Sequence, residues 1–142
     1  MNLDESVSEF THEDFDRLGF HDCYVRGIRW GGEQFSFSVE LDYIVKWIEP
    51  ADDGFFKFWI RPAVLRFDLV DDVVMDFDGT GLMPECQIDG LRRTASRATP
   101  NGSTQWHWEF ELIIPDGSIS LWATGFELSL NGPPVLSASQ HL

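Results

Sequence analysis

The stretch EQFSFSVELDYIVKW, residues 33–47, constrains the fold more than any other. Phe35, Phe37, Val39, Leu41, Tyr43, Val45 and Trp47 fall at every second position. Gln34, Ser36, Ser38, Glu40, Asp42 and Lys46 lie between them, with Ile44 the exception. Successive side chains of a strand point to opposite faces, so this period of two predicts one long strand with one buried face. Parallel strands are covered on both faces and read as continuous apolar runs, so the alternation also selects antiparallel pairing.

The rest of the chain follows the same logic. CYVRGIRW reads as the hairpin partner, joined through Gly31-Gly32. In TQWHWEFELII, the residues Trp106, Trp108, Phe110, Leu112 and Ile114 share one face, and Pro115-Asp116-Gly117 turns the chain into SISLWATGFEL. The apolar phase then slips from Ile119, Leu121 and Ala123 to Phe126 and Leu128, which predicts a bulge at Gly125. FFKFWIRP and AVLRFDLV read as two strands around Pro62. VVMDFD follows a turn at Asp71-Asp72, and QIDGLRR is a weaker strand bulged at Gly90. Residues 94–104 read as a polar loop with Pro100, Asn101 and Gly102 at its tip. One short helix is expected over about residues 10–19. Thr11 caps it, Asp14 completes an imperfect capping box, Phe10 and Phe15 form a staple, and Gly19 stops it. Asn131-Gly132-Pro133-Pro134 ends the regular structure, leaving residues 131–142 as a tail. The expectation is one domain over residues 1–142, mainly β. It would be an antiparallel sandwich or partly open barrel of about eight strands, with one short N-terminal helix.

A formal charge of −14 argues against nucleic acid and anionic membranes as direct ligands, since both need clustered Lys and Arg. It suits a basic protein partner, and it also serves solubility. No run approaches the roughly 18 apolar residues of a membrane span. MNLDESVSEF is acidic and lacks the apolar region of a leader, so a cytoplasmic location is expected. Cys23 and Cys86 do not make a disulfide framework and are expected to be reduced and buried.

VVMDFDGTGL, residues 73–82, resembles the nucleophile motif of haloacid-dehalogenase-type phosphatases. In that family the first Asp attacks phosphorus and the second, two residues on, acts as acid and base. The context differs. That family is doubly wound α/β, whereas here β structure precedes the motif and no clear amphipathic helix follows. The only lysines, Lys46 and Lys57, lie upstream, and no paired acids follow to hold Mg²⁺. A calcium loop with Gly79 at its sixth position would put Asp76, Asp78 and Glu85 at three, five and twelve. Val74 would then take position one, where it cannot ligate. The segment reads instead as a strand with Asp76 and Asp78 on the solvent side and Phe77 on the core side.

Other candidates are sparse. His21 and Asp22 precede the first strand, and as strand neighbours they would point apart rather than form a dyad. His107 lies on the polar side of its strand, with Glu109 and Glu111. No metal-ligand pair of His residues, no Gly-x-Ser-x-Gly elbow, P-loop or dinucleotide fingerprint occurs, so no catalytic residue, metal or cofactor is expected. Trp47, Trp106 and Trp108 fit the core phase of their strands. Trp59 and Trp122 fall off it and, if exposed, would belong to an interaction patch.

GFHDCYVRGIRW, FSVELDYIVKWIEP, FWIRPAVLRFDLVDDVVMDF, WHWEFEL and SISLWATGFEL together resemble a family of small bacterial β proteins. The layout of His-Asp before a first strand and a closing Gly-Phe is similar to immunity-type proteins of polymorphic toxin systems. The resemblance implies an acidic, cytosolic protein that binds another protein, and it carries over no catalytic residue. The expected function is therefore a non-enzymatic binding domain, an immunity-like inhibitor of a basic partner. The alternative is a β barrel that binds a small molecule or carbohydrate. The binding candidates for the chain are His21, Asp22, Trp59, Trp122, Asp76 and Asp78.

Overall fold

The structure, a computed structural model, describes residues 6–80, 85–140 and 142. They form one antiparallel sheet of ten strands, two more than the sequence suggests. The strands are β1 (Glu9–Thr11), β2 (Tyr24–Gly31), β3 (Ser36–Ile48), β4 (Lys57–Phe67) and β5 (Asp71–Phe77). They continue as β6 (Gln87–Ala98), β7 (Thr104–Ile113), β8 (Gly117–Ala123), β9 (Phe126–Leu130) and β10 (Val135–Ser137). Their order is β1-β9-β4-β3-β2-β6-β7-β8-β5, with β10 also beside β4. The end strands β1 and β5 do not pair, so the sheet is not closed into a barrel. No helix among the described residues is long and apolar enough to cross a membrane.

The sheet curls over itself. Three strands separate β4 from β7 in the sheet order. A flat sheet would hold them roughly 19 Å apart, at about 4.8 Å per strand. Yet the ring of Phe67 on β4 lies 6.0 Å from that of Phe110 on β7, centroid to centroid. The curl is possible because β2 and β6 are joined only at one end. Tyr24 pairs with Gln87, and the backbone bonds Asp22 N to Ile88 O, Ile88 N to Cys23 O and Val25 N to Cys86 O extend that joint. The core lies inside the curl, where Phe37, Ile60, Leu65, Phe67, Trp108 and Leu121 are fully buried.

β3 forms as the alternation dictates, with Phe37, Val39, Leu41, Tyr43 and Val45 buried. Ile44, the exception in the pattern, is buried as well, because the β3–β4 register shifts between Ile44 and Lys46. Such a bulge turns an extra side chain inward. Pro62 does not divide two strands: β4 runs through it. Asn131 N donates to Pro62 O, so the backbone of Pro62 faces the side of β4 where β9 gives way to β10. The donor that proline lacks would have pointed into that gap, so the ladder loses little.

Four further stretches differ from expectation. The N-terminal helix is a single 3-10 segment, His12–Arg17. Its capping box does form, with Thr11 N donating to Asp14 Oδ2 at 3.0 Å and Thr11 Oγ1 accepting from Glu13 N at 3.3 Å. HEDFDR has too few apolar residues for a helical stripe, so nothing prolongs it. Residues 94–98 extend β6 opposite β7, and the loop shrinks to residues 99–103, with its expected tip intact. The phase slip at Gly125 is a crossing, from β8 on β7 to β9 on β4, rather than a bulge in one strand. Glycine is required there because a Cβ would stand 2.0 Å from His12 Nδ1. Finally, the expected tail carries β10, whose Leu136 pairs with Trp59.

Candidate functional site

β5 is the outermost strand beside β8, and every one of its residues is exposed. It pairs Val74 with Ser120, Met75 with Ile119, Asp76 with Ser118 and Phe77 with Gly117. Gly117 permits the close approach, because a Cβ there would meet Asp76 O at 2.4 Å. The ladder continues where Asp78 N donates to Asp116 O at 2.9 Å. Backbone groups of a strand alternate sides, so Asp76 and Val74 also face β8. Met75 and Phe77 therefore direct their N–H and C=O groups away from it. No strand among the described residues covers that outer edge.

A recess adjoins the edge. It has a volume of about 360 Å³ and lies between β5 and the tip of the β2–β3 hairpin, lined chiefly by Trp30, Phe35, Phe37, Val70, Val73 and Met75. Trp30 and Phe35 are each 65% exposed. Phe35, expected on the core face, sits at φ 47° in the turn, which swings it out of the strand phase. The backbone bonds Leu69 N to Gln34 O and Val70 N to Phe35 O tie the chain leaving β4 to the hairpin tip, which sets β5 alongside it. Phe35 and Val70 also line a broader cleft of about 990 Å³, whose polar wall includes Asp71, Asp72, Arg97, Asn101 and Gln105. The surface is thus apolar at one end and polar at the other.

Its charge is mostly negative. Arg97 donates to Asp72 Oδ2 from both terminal nitrogens at 3.2 Å and from Nε to Gln105 Oε1 at 3.0 Å. Gln105, which is buried, passes the contact on to Asp71 at 2.6 Å. The Arg97 guanidinium lies 4.1 Å over the ring of Trp122, so its charge is already engaged. Asp76 has no ion-pair partner among the described residues. Asp78 accepts from Thr80 N at 3.0 Å, and this bond holds its carboxyl below the usual carboxylate range.

The residues singled out from the sequence scatter. His21 and Asp22 lie in a turn rather than a strand, with Asp22 at φ 66°. The turn brings them together instead of apart: His21 Nε2 is 3.5 Å from Asp22 Oδ1, and Nδ1 bonds the Asp89 carbonyl at 2.9 Å. They are remote from β5 in sheet order, at the joint with β6. Trp59 is half-buried against the core, and Trp122 is half-buried beneath Arg97 and beside His107, at 5.0 Å. Neither makes an exposed patch. Asp76 and Asp78 do belong to the β5 edge. Phe77, expected on the core side, is 40% exposed, because the outermost strand has no opposing layer to bury it. Gly81 and Leu82, at the end of the phosphatase-like stretch, lie outside the described residues. No group of three or more His, Cys, Asp or Glu among the described residues is placed to hold a metal ion.

Sequence reasoning missed Trp30, Phe35, Val73 and Met75 as surface groups. The one usable signal was the short interval between Gly31-Gly32 and Phe35, which leaves Phe35 in the turn. No protein-family model, no curated protein and no solved structure matches this chain.

Proposed function

We propose that the protein is a non-enzymatic binding domain whose partner is a basic protein, and that the β5 edge with its recess is the contact face. One observation carries the reading: a whole strand, including Val73, Val74, Met75 and Phe77, is exposed beside carboxylates. Exposed apolar groups on an unpaired edge invite association, and natural proteins usually blunt such edges. Here the blunting is acidic. It repels a second copy and attracts a basic surface. An immunity-like inhibitor of a basic toxin would use such a face. Free Cys23 and Cys86 suit a reducing, cytoplasmic setting.

The carbohydrate-barrel reading has less support. The sheet ends do not meet, Trp108 is fully buried, and Arg93 lies 4.5 Å over Trp106. Pull-down from the host at low and moderate salt tests the favoured reading, using the wild type and an Asp76→Lys/Asp78→Lys variant. Basic proteins should be retained by the wild type and lost by the variant. Retention of none, or retention indifferent to the charge reversal, would overturn it.

A further inference from the structure

We infer that β5 takes its partner as an added antiparallel strand, an extended segment in which Lys or Arg alternates with apolar residues. The inference rests on the preceding reading and adds the mode of binding and the chemistry of the bound segment.

The backbone supplies the mode. Beyond the register shift between Asp71 and Val74, Met75 and Phe77 turn outward N–H and C=O groups that no strand among the described residues pairs. An incoming strand would satisfy those groups with main-chain bonds, while pockets beside the edge select its side chains.

The two faces of β5 supply the chemistry. Val73 and Met75 line the recess with Trp30 and Phe37. Val74, Asp76 and Asp78 lie on the other face by strand alternation. Directly opposed residues of an antiparallel pair share a face. The residues facing Met75 and Phe77 are therefore apolar, and those facing Asp76 and its neighbours are basic. A second copy of this chain is a poor occupant. Pairing β5 with β5 would bring two rows of Asp76 and Asp78 together, and like charges opposed across strands are destabilising.

This geometry fixes which peptide amides matter. The residues opposite Met75 and Phe77 exchange main-chain bonds with them, so the amides of the apolar residues face β5. Those of the basic residues face solvent.

The test measures fluorescence polarisation of a labelled eight-residue peptide alternating Lys and Val. Two further copies carry N-methyl groups, one on the Val amides and one on the Lys amides. Methylation at Val should weaken binding about tenfold or more, and methylation at Lys should leave it nearly unchanged. On the protein, Met75→Pro removes one outward donor without touching the β8 ladder, whereas Met75→Ala removes the side chain alone. The proline variant should bind at least about tenfold more weakly than the alanine variant. Equal binding of the two methylated peptides would overturn strand addition, and this arm needs no protein variant to fold. If no alternating peptide binds at low salt, but charge reversal at Asp76 and Asp78 still releases a basic protein, strand addition falls and the partner reading stands. If neither binds, both fall.

Discussion

Phe67 and Trp108 come from strands with three others between them in the sheet, and their rings meet with centroids 5.8 Å apart and planes at 55°. Both side chains are fully buried. Phe67 also touches the rings of Phe110 and Phe126, so one side chain links β4, β7 and β9. It joins the two arms of the curled sheet where few backbone bonds do.

Phe67→Ala should therefore destabilise the fold by about 3–5 kcal/mol, the cost of a large aromatic cavity. Phe77→Ala, on the exposed edge of β5, should cost less than about 1 kcal/mol. Urea denaturation of both variants checks the contrast. Similar losses would mean that β5 is packed as firmly as the core.

Two ion pairs on neighbouring strands should differ as sharply. Arg26 Nε and Nη2 lie 3.1 and 2.8 Å from one oxygen of Asp42, whose carboxylate is buried. Arg29 reaches Glu40 at 3.2 Å with both side chains well exposed. Arg26→Ala strands a buried carboxylate that keeps, among the described residues, the 2.9 Å bond from Leu142 N, and should cost about 2–3 kcal/mol. Arg29→Ala should cost less than about 0.5 kcal/mol. Thermal melts at low and high salt check this, with only the Arg29 effect shrinking as salt rises.

The alkaline limb of stability has a named cause. Burial pushes the Cys23 thiol up to about 12, and burial also raises the Tyr43 phenol above its ordinary range. In the unfolded chain the thiol ionises near 8.5 and the phenol near 10, approximately. Between those values and the raised folded ones, the unfolded chain binds fewer protons than the folded one. Stability is thus fully present below about pH 8.5 and falls as pH rises toward about 12. The melting temperature should be flat from about pH 7 to 8 and then decline, and Cys23→Ala and Tyr43→Phe should each make the decline shallower. A decline unchanged in both variants would reject the assignment.

How much of this was legible in the sequence follows the burial. The alternation in β3 and β7 reports one covered face, so those strands and the core residues Phe37, Val39, Leu41, Trp108 and Phe110 could be read directly. Gly31-Gly32 and Gly90 marked a real turn and a real bulge, because backbone shape alone decides such positions. What failed depended on distant partners. Pro62 sits inside β4 only because β9 and β10 meet beside it, and residues 94–98 are strand only because β7 is long enough to pair them. The candidate site failed for the same reason. VVMDF has the composition of a core strand, and nothing local reveals that its place in the sheet is the last one. Charge was the exception: Asp76 and Asp78 were expected in solvent, and they lie at the exposed edge.

Those two carboxylates give the last test. Asp76 and Asp78 share a face of β5 and resemble a phosphatase or calcium motif in sequence. Yet Asp78 already accepts a bond from Thr80 N, and among the described residues no third ligand joins them. Asp76 has Ser118 opposite it on β8, Asp72 on its own strand and Asp78 just beyond the strand's end as acidic neighbours. Removing its charge relieves repulsion that salt would otherwise screen. Asp76→Asn should leave stability unchanged or raise it by up to about 0.5 kcal/mol. Millimolar Ca²⁺ or Mg²⁺ should not raise the melting temperature of the wild type, because an ion that binds the folded state would stabilise it by mass action. Calorimetric melts of the wild type and Asp76→Asn, with and without each metal, decide the matter. A metal-dependent rise of several degrees that disappears in the variant would make these carboxylates a cation site and remove them from the face assigned here to a basic strand.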